Sequence, residues 1–240
     1  MFRITEGVKH LLILNVLFFI ATSLYGDIMI EWFALWFPKA EPFGWWQFVS
    51  HMFMHGGPDH IFFNMLALWM FGTSLEMVWG KEKFLFFFFS AGIGAALVQT
   101  GVNYYQFNQG ISALVDAGVS ENEIIDLMSQ GRYMPGWYDI IPGSLVEGMI
   151  SNYMTHLVGA SGATSGILAA FAFMYPEREL FPIPIKVKFA IPILFLGDLY
   201  YGLSGGGGNI AYFAHIGGAL FGLFMVWYWK KNQFNKNRWN

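Results

Sequence analysis

Residues 84–98 read Phe84-Leu85-Phe86-Phe87-Phe88-Phe89-Ser90-Ala91-Gly92-Ile93-Gly94-Ala95-Ala96-Leu97-Val98, and no Asp, Glu, Lys or Arg follows until Asp116. In a lipid core such a stretch satisfies its backbone polar groups as a helix. Further charge-free runs at 10–26, 148–176 and 199–229 repeat the pattern. Across 240 residues, 55% are hydrophobic, 20% aromatic and 12% charged, against roughly 25% charged in a soluble domain. This excludes a soluble globular fold, and the apolar content excludes disorder. A net charge of −3 offers no broad basic surface for nucleic acid. The absence of Cys removes disulfides, thiolate metal ligands and a cysteine nucleophile.

A hydrocarbon core about 30 Å thick takes roughly 20 apolar residues per helix. Six stretches qualify, near 8–25, 58–78, 83–102, 153–175, 187–204 and 210–229. In the first, Arg3 and Lys9 precede the run Leu11 to Ala21, but it leads into Ser23-Leu24-Tyr25-Gly26 without a small-x-small cleavage site, so it reads as an uncleaved helix. With the N-terminus inside, eleven Lys and Arg fall on inner segments and only Lys39 and Arg132 outside. That bias predicts six spans with both termini cytoplasmic. The expected host is a bacterial inner membrane, with no obvious transit peptide and the outer segments facing the periplasm.

Two outer segments are long. Residues 26–57 carry Trp32, Phe33, Trp36, Phe37, Trp45 and Trp46, rings suited to the headgroup zone, with Pro38 and Pro42 interrupting regular helix. They read as a loop lying on the outer leaflet. Residues 103–152 form an extramembrane insert between spans three and four. Within it Ser120-Glu121-Asn122-Glu123 starts a helix by a capping box, which Gly131 ends, so a short helical hairpin is expected.

Polar side chains inside a span are costly, which makes each a functional candidate. His60 and Asn64, four apart, share one face of span two. Span four contains Gly159-Ala160-Ser161-Gly162-Ala163-Thr164-Ser165-Gly166, and span six Ala214-His215-Ile216-Gly217-Gly218-Ala219-Leu220-Phe221-Gly222. Counted from the outer helix ends, Ser161 about eight residues in and His215 about five in lie at a similar depth, roughly 8–12 Å. Gly162-xxx-Gly166 and Gly218-xxx-Gly222 are small-xxx-small faces that let backbones approach. A serine hydroxyl becomes a nucleophile when an imidazole accepts its proton, and the resulting oxyanion needs aimed donors. The Asn64 amide, the His60 imidazole and the Ser161 N–H are available as those donors. Such a site performs acyl transfer without a metal or other cofactor.

These motifs, in this order, resemble those of the rhomboid intramembrane serine proteases, across all six spans. Gly159-Ala160-Ser161-Gly162 is similar to the family's G-x-S-G nucleophile motif, and Ala214-His215 with Gly218 and Gly222 to its A-H-x-x-G-x-x-x-G motif. His60 and Asn64 match its H-x-x-x-N oxyanion motif, and His51 and His55 resemble its upstream histidines. The resemblance implies an all-α membrane protein, one rhomboid-like domain over residues 1–240. It further implies a Ser161 and His215 catalytic dyad, with His60 and Asn64 at the oxyanion. Its partners would be the lipid bilayer and transmembrane protein substrates cut near the outer face, with access through a gate at span five and the cap loop around Gly205 to Asn209. The insert of residues 103–152 departs from the pattern by its length, as a docking surface, a lid or an inert elaboration.

Other readings of the same residues stay on the page. His51, His55 and His60 could serve as metal ligands, since an i, i+4 pair presents two imidazoles on one face, but with no Cys and no H-E-x-x-H a structural role fixing the outer loop by hydrogen bonds is preferred for His51 and His55. Asp198, about six residues from the outer end of span five, admits a Ser-His-Asp triad, whereas the resemblance implies a dyad. Ser165 and Glu76 read as packing or backbone-bonding residues. The alternative function is a non-catalytic rhomboid-like protein that binds transmembrane helices in the same cavity.

Overall fold

A computed structural model describes residues 4–180, 183–204 and 210–232. The chain is an all-α membrane protein. Among the described residues, four helices are long and apolar enough to cross a membrane by length and composition: Glu6–Tyr25, Pro58–Trp79, Lys81–Asp116 and Val187–Ser204. The first, α1 (Glu6–Tyr25), has no side-chain cap from its own Thr5. A residue 68 positions away supplies it. Glu76 accepts the Gly7 and Val8 N–H groups at 2.7 and 2.8 Å, and the Thr5 hydroxyl at 2.5 Å. A negative carboxylate thereby meets the positive end of the helix dipole.

Gly26, at φ 51°, ends α1 and admits α2 (Asp27–Phe33). The chain then forms a two-residue strand β1 (Leu35–Trp36) and the short α3 (Gln47–Ser50), continued by a 3-10 turn His51–Phe53. Gln47 is fully buried and ties this outer segment together: its Nε2 donates to the Glu31 and Pro42 carbonyls, and its Oε1 accepts from the Trp36 N–H. Trp32, Trp45 and Trp46 are exposed, whereas Phe37 is not. Expected among the headgroup rings, Phe37 instead packs on Phe107 and Tyr153, with ring centroids 4.8 and 6.0 Å away.

Pro58 opens α4 (Pro58–Ala67) at a position where its missing N–H costs nothing. A π-helical turn, Leu68–Gly72, joins it to α5 (Thr73–Trp79). Gly80, at φ 80°, turns the chain into α6 (Lys81–Asp116), 36 unbroken residues. At 1.5 Å per residue that is roughly 54 Å, well beyond a hydrocarbon core. Its far end carries α7 (Glu121–Ser129), α8 (Trp137–Ile140) and α9 (Gly143–Met154). Phe107, Ile111 and Leu114 of α6 pack with Ile124, Met128, Trp137, Val146 and Met149 into a core of their own. α7 starts where the Ser120 motif placed it, although no side-chain capping bond forms there.

Span four needs correction. The expected single helix over 153–175 is two: α9 stops at Met154, and α10 (Ser161–Met174) begins seven residues later, after strand β2 (His156–Leu157) pairs antiparallel with β1. Pairing Leu35 with Leu157 and Trp36 with His156 holds the intervening chain extended. α10 is short, and Gly162 through Ile167 and Ala169 through Phe171 are all buried. A hairpin of β3 (Glu179–Leu180) and β4 (Ile183–Lys186) then leads to α11 (Val187–Ser204) and α12 (Tyr212–Asn232). α10 packs against α12, α6 and the α4–α5 rod, at the centre of the bundle.

Candidate active site

The serine singled out by the sequence is the first residue of α10. It is not a mid-helix residue, so its depth follows from where the extended segment before it ends. Gly159 makes that descent possible: its φ of 122° is a left-handed conformation, and its N–H donates to the His51 carbonyl at 2.9 Å. A methyl group there would meet the His60 ring at 2.7 Å and sit 3.6 Å from Ser161 Oγ. The His60 edge and the serine hydroxyl thus border one small volume above Gly159. Because Ser161 opens a helix, the N–H groups of its first turn lack intrahelical acceptors, with the positive end of the dipole behind them.

Glycine contacts bring the second helix in. A Cβ on Gly218 would fall 1.9 Å from the Gly162 carbonyl oxygen, and one on Gly222 would fall 2.7 Å from that of Gly166. A Cβ on Gly162 would stand 3.6 Å from the Ala214 carbonyl oxygen, so the backbones beside Ser161 and His215 are in contact. His215 lies in the first turn of α12. Its Nδ1 faces Asp198 Oδ2 of α11 at 3.2 Å. Nε2, on the opposite edge of the ring, is left for the cavity.

Ser161, His215, His60 and Asn64 all line one cavity of about 1050 Å³. The Asn64 amide is held at both ends: Nδ2 donates to the His60 carbonyl at 2.8 Å, and Oδ1 accepts from Thr164 Oγ1 at 3.0 Å. An amide nitrogen carries two hydrogens, so one donor remains for the cavity. Thr164 Oγ1 also lies 3.1 Å from the Ser161 carbonyl, and its single proton is shared between the two acceptors. Along the outer wall α6 presents Gln99, Thr100, Asn103 and Gln106, and α9 presents Ser151 and Asn152. Asn152 Nδ2 donates to Gln106 Oε1 at 3.0 Å, fastening that wall.

His51 and His55 stand behind the site. Burial holds both imidazoles down at about 4, and the neighbouring His60 adds to the effect on His55. His51 Nδ1 bonds the Gln47 carbonyl at 2.8 Å, consistent with a role in fixing the outer segment. His55 departs from that expectation. Neither of its ring nitrogens has a partner among the described residues, and it packs edge-on against His60 with centroids 5.0 Å apart. Among the described residues no group of three or more His, Cys, Asp or Glu is disposed to hold a metal ion. The expected cap loop, Gly205 to Asn209, lies outside the described residues.

The family model described as Rhomboid domain matches residues 42–120 and 137–232. The chain belongs to the rhomboid family. It is 30% identical over 191 residues to Rhomboid protease AarA of Providencia stuartii, covering 75% of this chain and 54% of that protein. It is 24% identical over 186 residues to Rhomboid protein 1, mitochondrial, of Saccharomyces cerevisiae, covering 76% and 41%. With Rhomboid protease GluP of Bacillus subtilis it shares 26% over 163 residues, covering 66% and 32%. The chain therefore spans about half the length, or less, of these curated relatives.

Two residues that position this rhomboid site escaped the reading of the sequence. Thr164 sits one turn after Ser161, and that i, i+3 spacing was the available signal. Gln99, whose Oε1 accepts the Ala214 N–H at 3.0 Å, anchors the start of the His215 helix and gave no local signal.

Proposed function

We propose that this rhomboid chain is an intramembrane serine endopeptidase that cuts transmembrane proteins in or near their membrane segments. The observation that carries the proposal is the convergence of Ser161, His215, His60 and Asn64 from three elements on one cavity. Ser161 Oγ attacks the scissile carbonyl while His215 Nε2 accepts its proton. The oxyanion takes hydrogen bonds from the Ser161 N–H, the free Asn64 N–H and the His60 ring, backed by the α10 dipole. His215 then protonates the leaving amine, the peptide's new N-terminus departs, and a water deprotonated by the same imidazole hydrolyses the acyl-serine. The AarA and GluP relatives, both named as rhomboid proteases, support this reading.

The membrane frame belongs to the same proposal. α1, the α4–α5 rod, the first part of α6, α10, α11 and α12 are read as six spans, with both termini cytoplasmic in a bacterial inner membrane. Residues 26–57 lie on the outer leaflet and residues 103–152 stand outside it, within a single domain over residues 1–240. Substrates are single-span helices that unwind easily and enter the polar cavity from the outer half of the bilayer.

The test is cleavage of a model single-span substrate by purified protein in liposomes. Wild type should cleave with or without chelator, and Ser161→Ala and His215→Ala should lose at least about 1000-fold while keeping the wild-type melting temperature. Retained cleavage by the Ser161→Ala protein overturns the assignment.

A further inference from the structure

α11 otherwise turns most of its apolar side chains away from the bundle: Phe189, Ile193, Leu196, Tyr200 and Leu203 are all exposed. Between Lys188 and the end of that helix at Ser204 it carries one charged residue, Asp198. A carboxylate at that depth is costly unless something compensates it. Its side chain is turned inward, 13% exposed, and its Oδ2 lies 3.2 Å from His215 Nδ1. Among the described residues it is the carboxylate within ion-pair distance of this imidazole.

We propose that Asp198 is a positioning residue for the reaction, setting the tautomer and orientation of His215. The inference rests on the reading of Ser161 and His215 given above. With Nδ1–H donated to the carboxylate, the lone pair of the neutral imidazole is on Nε2, the edge open to the cavity that holds Ser161. As the serine proton moves to Nε2, the ring becomes a cation whose charge the adjacent carboxylate offsets. The carboxylate takes no proton and touches no substrate. The pair also joins α11 to α12, so a mechanical role is the rival explanation, and the isosteric amide separates the two. Asn can still link the helices, but it brings no charge, and its N–H₂ turned toward Nδ1 stabilises the wrong tautomer.

The experiment measures kcat, KM and melting temperature for wild type, Asp198→Asn and Asp198→Glu in liposomes or micelles, together with the rate of Ser161 labelling by a fluorophosphonate. Asp198→Asn should lose about 100-fold or more in kcat with KM within about twofold, and label Ser161 correspondingly slowly. Asp198→Glu should recover part of both rates. Wild-type kcat in Asp198→Asn, with Ser161→Ala inactive, overturns the role of Asp198 and leaves the protease reading standing. No Ser161-dependent cleavage or labelling in wild type overturns both. If Asp198→Asn also melts early, Asp198→Glu decides: recovery of kcat without recovery of melting temperature upholds the positioning role, and recovery of neither overturns it.

Discussion

Gly218 of α12 rests directly on Gly162 of α10, so close that a methyl on Gly218 would lie 1.9 Å from the Gly162 carbonyl oxygen. The atom in the way is backbone, which cannot rotate aside. The contact registers His215, three residues before Gly218, against Ser161, one before Gly162.

A single methyl at this point should therefore separate the helices that carry Ser161 and His215, the proposed nucleophile and base. Gly218→Ala is expected to cost about 1–3 kcal/mol of stability and to lower cleavage by more than its melting temperature accounts for. Gly101→Ala, at a glycine with open space around it, is the matched control. Thermal unfolding alongside cleavage checks this, and equal behaviour of the two variants would contradict it.

Glu76 makes a second prediction, on the fold rather than the chemistry. Its carboxylate, on a residue 4% exposed, accepts two backbone N–H groups and a hydroxyl from the start of α1. Glu76→Ala leaves those donors without an acceptor and should destabilise the protein by about 3 kcal/mol. Glu76→Gln keeps an acceptor oxygen and should fall between. Denaturant midpoints for the three proteins give the order.

The buried histidines predict an acid limit. In the folded protein His51 and His55 hold to about 4, against 6.5 for the unperturbed group. Between those values the unfolded chain binds more protons than the native one, so stability is complete above pH 6.5 and falls as pH drops toward 4. At pH 5 the loss is about 2 kcal/mol for each histidine. His55→Leu, which removes one of the two buried imidazoles, should flatten the decline. Melting temperatures that do not change between pH 7.5 and pH 5 would refute this account.

The sequence disclosed most where charge is sparse. Counting apolar stretches of about 20 residues placed α11 at its observed ends and the rod Pro58–Trp79 within a residue, because lipid imposes length and apolarity directly. The start of α10 was hidden for the opposite reason. Tyr153, Met154, Leu157 and Val158 are apolar enough to extend a span, and the break depends on β1–β2 pairing across more than a hundred residues. The continuation of α6 past residue 102 was legible in principle, since Phe107, Ile111 and Leu114 follow at i, i+4 and i+7. Those residues meet the packed core of α7 to α9, and composition alone does not separate that from lipid. Spacing singled out Ser161, His215, His60 and Asn64 as candidates, which share one cavity, while the contact of Asp198 with His215 depends on how α11 is rotated, which no local pattern encodes.

The single helix from Lys81 to Asp116 sets how any event outside the membrane reaches the site. Its middle, at Ala91, Ala95 and Val98, braces Gly166, Gly162 and Gly217 of α10 and α12, while its tip carries the packed cluster of α7 to α9. With no break in the helix between them, that cluster and the floor of the proposed active site are two ends of one rigid element. A force on the cluster tilts the wall against which α10 and α12 are registered.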